Sequence, residues 1–158
     1  MAGAADQKPL ALVYICDEEF LDVEGGRVGL LRAYYESQGY RVRFVRVPAA
    51  TSWLADNFEG SHLRRMTQSS LREALLVHVE AHLRCSGLVD KHLEEEDYIL
   101  PAREEEDAHA DDLRELIAPL QAWLRKLGNT RAKILTFLYN PADAKAKSHG
   151  VYGVSNPI

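Results

Sequence analysis

Cysteine is scarce in this chain, and its two copies are far apart. Cys16 and Cys85 are the only cysteines among 158 residues. Neither belongs to a Cys-x-x-Cys step, so neither a disulfide framework nor a cysteine-rich zinc site is predicted, and a reducing, cytoplasmic compartment is the expectation. Long apolar runs are missing too. The first, Leu10–Cys16, is far too short to cross a bilayer, and Met1–Pro9 lacks the charged start and apolar stretch of a secretory signal, so no membrane partner is expected. Positive charge is not in excess: 24 acidic against 19 basic residues give a net charge of -5, and composition therefore does not predict the basic face that nucleic acid requires. Gly-x-Gly-x-x-Gly and Gly-Lys-Ser/Thr steps are absent, and with them the common phosphate loops.

What is present is an ordinary globular composition, 46% hydrophobic and 27% charged, which argues against disorder and suits a single domain able to bury its own core. Leu10–Cys16 is a continuous apolar run between Pro9 and Asp17, and reads as a strand buried on both faces. From about Val23 the spacing of Leu30, Leu31, Tyr34 and Tyr35 is helical, with Gly39 as its stop. Arg41–Val47, ended by Pro48, is a second strand, and the three segments together predict a parallel β-α-β unit with the first strand internal. A helix capped by Ser69 or Ser70 is expected to run at least to Cys85, and through to Leu100 if Gly87 does not break it. A third helix spans roughly Asp107–Leu127 on the stripe Leu113, Leu116, Ile117, Leu120, Leu124 and Leu127, with Pro119 expected to bend or divide it. Ile134–Tyr139 is a third strand. The expected fold is thus a small α/β domain of two or three layers over residues 10–139, with at least three strands and three helices, a flexible N-terminus at 1–9 and a loop or tail at 140–158.

Two groupings carry chemistry. The acidic turn Asp17, Glu18, Glu19, Asp22 and Glu24 follows the carboxyl end of the first strand, where open α/β sheets bind ligands. Gly25, Gly26 and Gly29 follow at a helix start, but the carboxylates would repel a phosphate there, and a divalent cation held by Asp17 and Glu18 is the more compatible ligand. The second grouping depends on the expected helix. At about 100° per residue, His78, His82 and Cys85 share a side with Leu71 and Leu75, and a continued helix adds His92 and Glu96. The one-turn pairs His78/His82 and His92/Glu96 have the spacing of shared metal ligands. On such a helix Glu80 points the other way, unlike the glutamate of a helical metalloprotease motif.

Two resemblances follow from particular residues. Asp90–Pro101, with His92 and Glu96 before the proline, resembles the second helix of hemerythrin-like proteins, which implies an iron pair at those two residues. A four-helix bundle, however, does not accommodate strands at both ends, and His109 is the only later helical histidine. Pro9-Leu-Ala-Leu-Val13, Gly25-Gly26, Gly39–Phe44 and Ser148-His-Gly-Val-Tyr-Gly153 resemble landmarks of the caspase fold, in order. The resemblance implies that His149 is the catalytic base directly after a buried strand, with a cysteine nucleophile beyond it. No cysteine follows His149, so it implies an inactive or incomplete caspase-like protein. With no assembled nucleophile and base, no phosphate loop and no complete metal set, the sequence is read as a non-catalytic binding or regulatory module. It is expected to work through protein contacts, with homo-oligomerisation open to it. A metal protein using His78, His82, His92 and Glu96 or the acidic turn is the alternative.

Overall fold

A computed structural model describes residues 7–48, 54, 65, 67–86, 88 and 102–140. Four parallel strands form one sheet in the order β2-β1-β3-β4. β1 is Leu10–Ile15 and β2 is Arg41–Arg46, joined through a 3-10 turn at Glu19–Leu21 and helix α1, Arg27–Ser37. Helix α2, Gln68–Glu73, leads directly into β3, Ala74–His82; helix α3, Ala102–Lys126, leads to β4, Lys133–Tyr139. The first strand is internal, flanked by β2 and β3, and every one of its residues is buried. An all-parallel strand with helices over both faces must be apolar throughout, which is what Leu10–Ile15 is.

Helices cover both faces, so the domain has three layers. Leu10, Leu12 and Tyr14 point to the side of α2 and α3, where they meet Leu71, Val77, Val79, Leu113, Leu116 and Leu120. Ala11, Val13 and Ile15 point to the side of α1, among Leu21, Leu31, Tyr35 and Leu76. Tyr14 reaches Thr67 with its hydroxyl at 2.9 Å, and its burial pushes the phenol up to about 12.

Three expectations need correcting. The helix predicted from Ser69 to Cys85 is only six residues long, and Ala74–His82 is a strand in the centre of the sheet. Val77, Val79 and Ala81 face one core while His78, Glu80 and His82 face the other. That two-residue alternation suits a pleated strand, and β-branched valines fit it better than a helix. The one-turn spacing expected of His78 and His82 is therefore absent: they share a strand face but stand about 13 Å apart along it, beyond the reach of a common ion, and His92 and Glu96 lie outside the described residues. Glu80, expected on the opposite face, lies beside His78. Finally, α3 begins near residue 102 and runs through Pro119 as one helix, without division.

Asn129 ties these layers together just after α3. Gly128, at φ 78°, turns the chain out of the helix, and the Asn129 amide donates to the Leu124 carbonyl at 2.9 Å. The Asn129 side-chain nitrogen donates to the carbonyls of Leu71 (2.7 Å) and Ala74 (2.8 Å), and its oxygen accepts from the amides of Arg131 and Ala132. One buried side chain thereby satisfies four backbone groups at the α2–β3 junction and the approach to β4.

Candidate functional site

The order β2-β1-β3-β4 contains a reversal. From β1 the chain steps outward to β2, then returns across β1 to place β3 on its other side. In open α/β sheets the crevice beyond the carboxyl ends of the two strands at such a reversal is the usual ligand site. Here those strands are β1 and β3, and the residues at their carboxyl ends are Cys16 and His82.

Among the described residues, Cys16, Glu18, His82 and Cys85 bring one potential ligand atom each to within 4.8 Å of one another. The two sulfurs are 3.9 Å apart, and His82 Nε2 is 3.9 Å from Glu18 Oε1. Strand β1 delivers Cys16, and the turn after it delivers Glu18. Strand β3 ends on His82, and Arg84, at φ 61°, bends the chain so that Cys85 returns toward β1. Cys16, His82 and Cys85 are each only 1% exposed.

His82, Glu18 and Cys85 are each held from outside the cluster. His82 Nδ1 donates to the Leu83 carbonyl at 2.9 Å; because a carbonyl only accepts, Nδ1 carries a proton and Nε2 faces the cluster. Phe20 stacks edge-on against the His82 ring, 5.1 Å between centroids. Glu18 Oε1 accepts from the amide and hydroxyl of Ser86 at 2.7 and 2.8 Å. Glu105 of α3 accepts the Cys85 amide at 2.8 Å. Arg46 grips Asp22 with two bonds of 2.8 Å, anchoring the acidic turn to β2.

The electrostatics follow from this packing. The Cys16 thiol is driven well down, first by the hydrogen bond from Cys85 and then by His82, against the cost of burial. The Cys85 thiol is pushed up by the same bond and by its burial. Burial pulls His82 down, but the Cys16 sulfur, the Leu83 carbonyl and Glu18 outweigh it and raise the imidazole overall. These directions favour the thiolate form at Cys16, the charged ring at His82 and the thiol form at Cys85. Such a set can bind a soft cation or undergo thiol chemistry.

The other titratable groups of β3 serve the fold. Arg27 Nε and Nη2 donate to Glu80 Oε1 and Oε2 at 2.6 and 2.7 Å, and His78 Nε2 donates to Glu80 Oε2 at 2.8 Å. Burial lowers His78, so its Nδ1 is free to accept from the Tyr35 hydroxyl at 2.6 Å. The His78 ring stacks on Phe137 at 4.5 Å.

Of the residues singled out from sequence, Glu18 and His82 meet in the cluster. Asp17 is exposed beside it, and His78 belongs to the Arg27–Glu80 network. His92, Glu96 and His149 lie outside the described residues. His109 is buried on α3 beside Glu105, 3.6 Å away. Cys16 and Cys85 are 69 positions apart in the sequence, and the reversal in strand order brings them together. Two cavities, of about 290 and 340 Å³, lie elsewhere, one against Leu124, Arg125 and Ile134 and the other against Tyr34, Tyr40 and Leu135. No protein-family model matches the chain, and no curated protein matches it.

Proposed function

We propose that this protein is a non-catalytic binding and regulatory module that acts through protein–protein contacts made by the acidic turn at the switch point. One contrast carries the reading: the groups capable of chemistry are sealed, and the turn above them is open. Cys16, His82 and Cys85 are buried, while Val23 is 58% and Phe20 38% exposed on the same turn. Asp17, Glu19, Asp22 and Glu24 flank those two residues in the chain, all exposed. Exposed apolar groups flanked by charge are typical of contact surfaces. The partner that fits is a protein segment offering apolar side chains among basic ones. The carboxylates disfavour nucleic acid, and no described helix is long and apolar enough to cross a membrane. Two free thiols 3.9 Å apart suit a reducing, cytoplasmic compartment.

A photoreactive side chain introduced at position 23 tests this in cell extract. A discrete adduct is expected there and not from position 37, which is exposed at the other end of α1. Phe20→Ser should abolish the adduct without altering the far-ultraviolet circular dichroism. Absence of any discrete adduct at 23 would remove the reading.

A second reading is favoured by one position. The caspase resemblance places its base at His149, outside the described residues, but a histidine at the end of a buried strand is present at His82, which closes β3. The only cysteine beyond it is Cys85, buried and with its thiol pushed up, a poor nucleophile. This is the inactive caspase-like alternative. Peptide hydrolysis abolished by His82→Ala would replace both readings with a catalytic one.

A further inference from the structure

We propose that Cys16, Glu18, His82 and Cys85 form a closed site for one divalent metal ion of the zinc class, and that the bound ion pins the acidic turn to the end of β3. The proposal stands on the geometry of the cluster and does not depend on the turn being a contact surface.

The donor set points to zinc. Two thiolates, an imidazole nitrogen and a carboxylate oxygen are all zinc ligands, whereas calcium and magnesium take oxygen almost alone. The spacing agrees. A tetrahedral ion with Zn–S bonds of about 2.3 Å holds its two sulfurs roughly 3.8 Å apart, and the two sulfurs here are separated by 3.9 Å. Nitrogen and oxygen at about 2.0–2.1 Å from the ion would stand roughly 3.4 Å apart. The 3.9 Å between His82 Nε2 and Glu18 Oε1 closes to that value with a small side-chain rotation.

The ring of His82 is already set for ligation. Its Nδ1–H is committed to the Leu83 carbonyl, the outer contact that metal-bound histidines characteristically make. Its Nε2 is buried, points into the cluster and forms no hydrogen bond. A buried ring nitrogen without a bond costs on the order of 1–3 kcal/mol, and a cation at the cluster centre is what would satisfy it. The outer contacts extend to the other ligands: Ser86 orients Glu18, and Glu105 fixes the Cys85 backbone.

Proton balance is straightforward. The ion takes lone pairs from both sulfurs, Nε2 and one carboxylate oxygen. The two thiols release their protons to solvent, two protons per ion, and the Nδ1 proton of His82 stays on the ring. Four protein ligands fill a tetrahedron, so no position remains for water or substrate, and the role is structural. Because Glu18 belongs to the acidic turn, the ion fixes that turn against β3.

The test uses the full chain, purified without a histidine tag, in a non-thiol reductant. Zinc alone is titrated against a chromophoric chelator, and cobalt(II) is added to a second sample as a spectroscopic stand-in. One equivalent of zinc per chain is expected. Cobalt should give intense tetrahedral d–d bands and sulfur-to-cobalt charge-transfer absorption. Cys16→Ser, Cys85→Ser and His82→Gln should each weaken zinc by more than the 10–100-fold typical of losing an outer contact, and Glu18→Gln by about 10-fold or more. Circular dichroism of the metal-free variants separates lost ligation from lost folding. The cobalt spectrum of the wild-type chain decides the question even if a variant fails to fold. Zinc that is not retained in competition, cobalt bands of octahedral intensity without the sulfur transition, or wild-type affinity in a folded Cys16→Ser variant would each overturn the proposal.

Discussion

Arg27 of α1 and Glu80 of β3 form a doubly hydrogen-bonded ion pair that is almost wholly inaccessible, with side-chain exposures of 0% and 1%. The guanidinium also lies over the Tyr139 ring, 4.8 Å from its centroid, so one arginine links α1, β3 and β4. Removing one partner leaves an uncompensated buried charge. Arg27→Met is therefore expected to destabilise by about 3–5 kcal/mol. The double variant Arg27→Met/Glu80→Gln leaves no charge and keeps an acceptor for His78, so it should be more stable than Arg27→Met alone. Urea unfolding of the wild type, both single variants and the double variant measures the coupling, and simple additivity would show that the pair does not act as a unit.

His78 gives the protein a predictable response to mild acid. Burial lowers its folded value below the ordinary 6.5; Glu80 pulls it up and Arg27 pushes it down. Tyr35 donates to it from α1, and Phe137 of β4 covers its ring. A group with a depressed folded value contributes stability that is present above its unfolded value and lost as pH falls through the folded one. On going from pH 7 to pH 6, through the ordinary value of 6.5, the unfolded chain begins to take up a proton that native His78 refuses. Stability should then decline by up to about 1.4 kcal/mol per pH unit from this group. Glu80 is lowered too, because His78 and Arg27 outweigh its burial, so its contribution fades in a more acidic window of the same sign. Denaturation midpoints of the metal-free protein at the two pH values check this. His78→Gln should flatten the decline, and an unchanged slope in that variant would assign it elsewhere.

The strands that were legible in the sequence are those whose composition has one explanation. Leu10–Ile15 and Lys133–Tyr139 are too short and too apolar to be surface helices, and Arg41–Arg46 alternates in the half-exposed manner of an edge strand. β3 failed that test because its inward residues are His78, Glu80 and His82. The fold satisfies His78 and Glu80 with Tyr35 and Arg27, 43 and 53 positions away and so not visible locally, and His82 with the adjacent Leu83 carbonyl. Leu71, Leu75, His78 and His82 also recur at helical spacing. The signal that would have found the strand is the strict alternation of Val77, Val79 and Ala81 with the polar three. The cluster was half legible: Glu18 and His82 carried ligand chemistry on their own. Cys16 and Cys85 have no spacing motif, and the connection between them passes through the strand order.

The hydrogen bonds that Asn129 makes give another prediction. Asn129→Ala strips partners from the carbonyls of Leu71 and Ala74 and the amides of Arg131 and Ala132. Unsatisfied buried polar groups cost about 1–3 kcal/mol each, and partial access by water reduces the sum. A loss of roughly 2–4 kcal/mol is expected. Asn129→Asp should rescue little, since a carboxylate restores the acceptor for the two amides but repels the two carbonyls. Equal stability of the aspartate variant and the wild type would contradict this account.

Two glycines near the start of α1 should answer the same substitution with opposite signs. A Cβ at Gly26 would stand 2.7 Å from the Val23 carbonyl oxygen and 2.8 Å from that of Leu21. Both are backbone atoms of the turn, and neither can swing aside as a side-chain tip could. The Gly26 amide also donates to the Val23 oxygen at 2.7 Å, so the clash and the bond compete at one point. Gly26→Ala should force the turn outward, lift Phe20 from His82, and cost on the order of 1–3 kcal/mol. At Gly29, inside α1 and exposed, a Cβ meets nothing within 4 Å. Alanine there restricts the unfolded chain and suits the helix, for a gain of about 0.4–1 kcal/mol. Urea midpoints measure both effects. Alkylation of Cys16 under native conditions adds a site-specific readout, expected to accelerate in Gly26→Ala and to stay at the wild-type rate in Gly29→Ala. If both variants shifted stability in the same direction, or if alkylation were unchanged in Gly26→Ala, the close fit of the turn over the cysteine–histidine cluster would not be what Gly26 maintains.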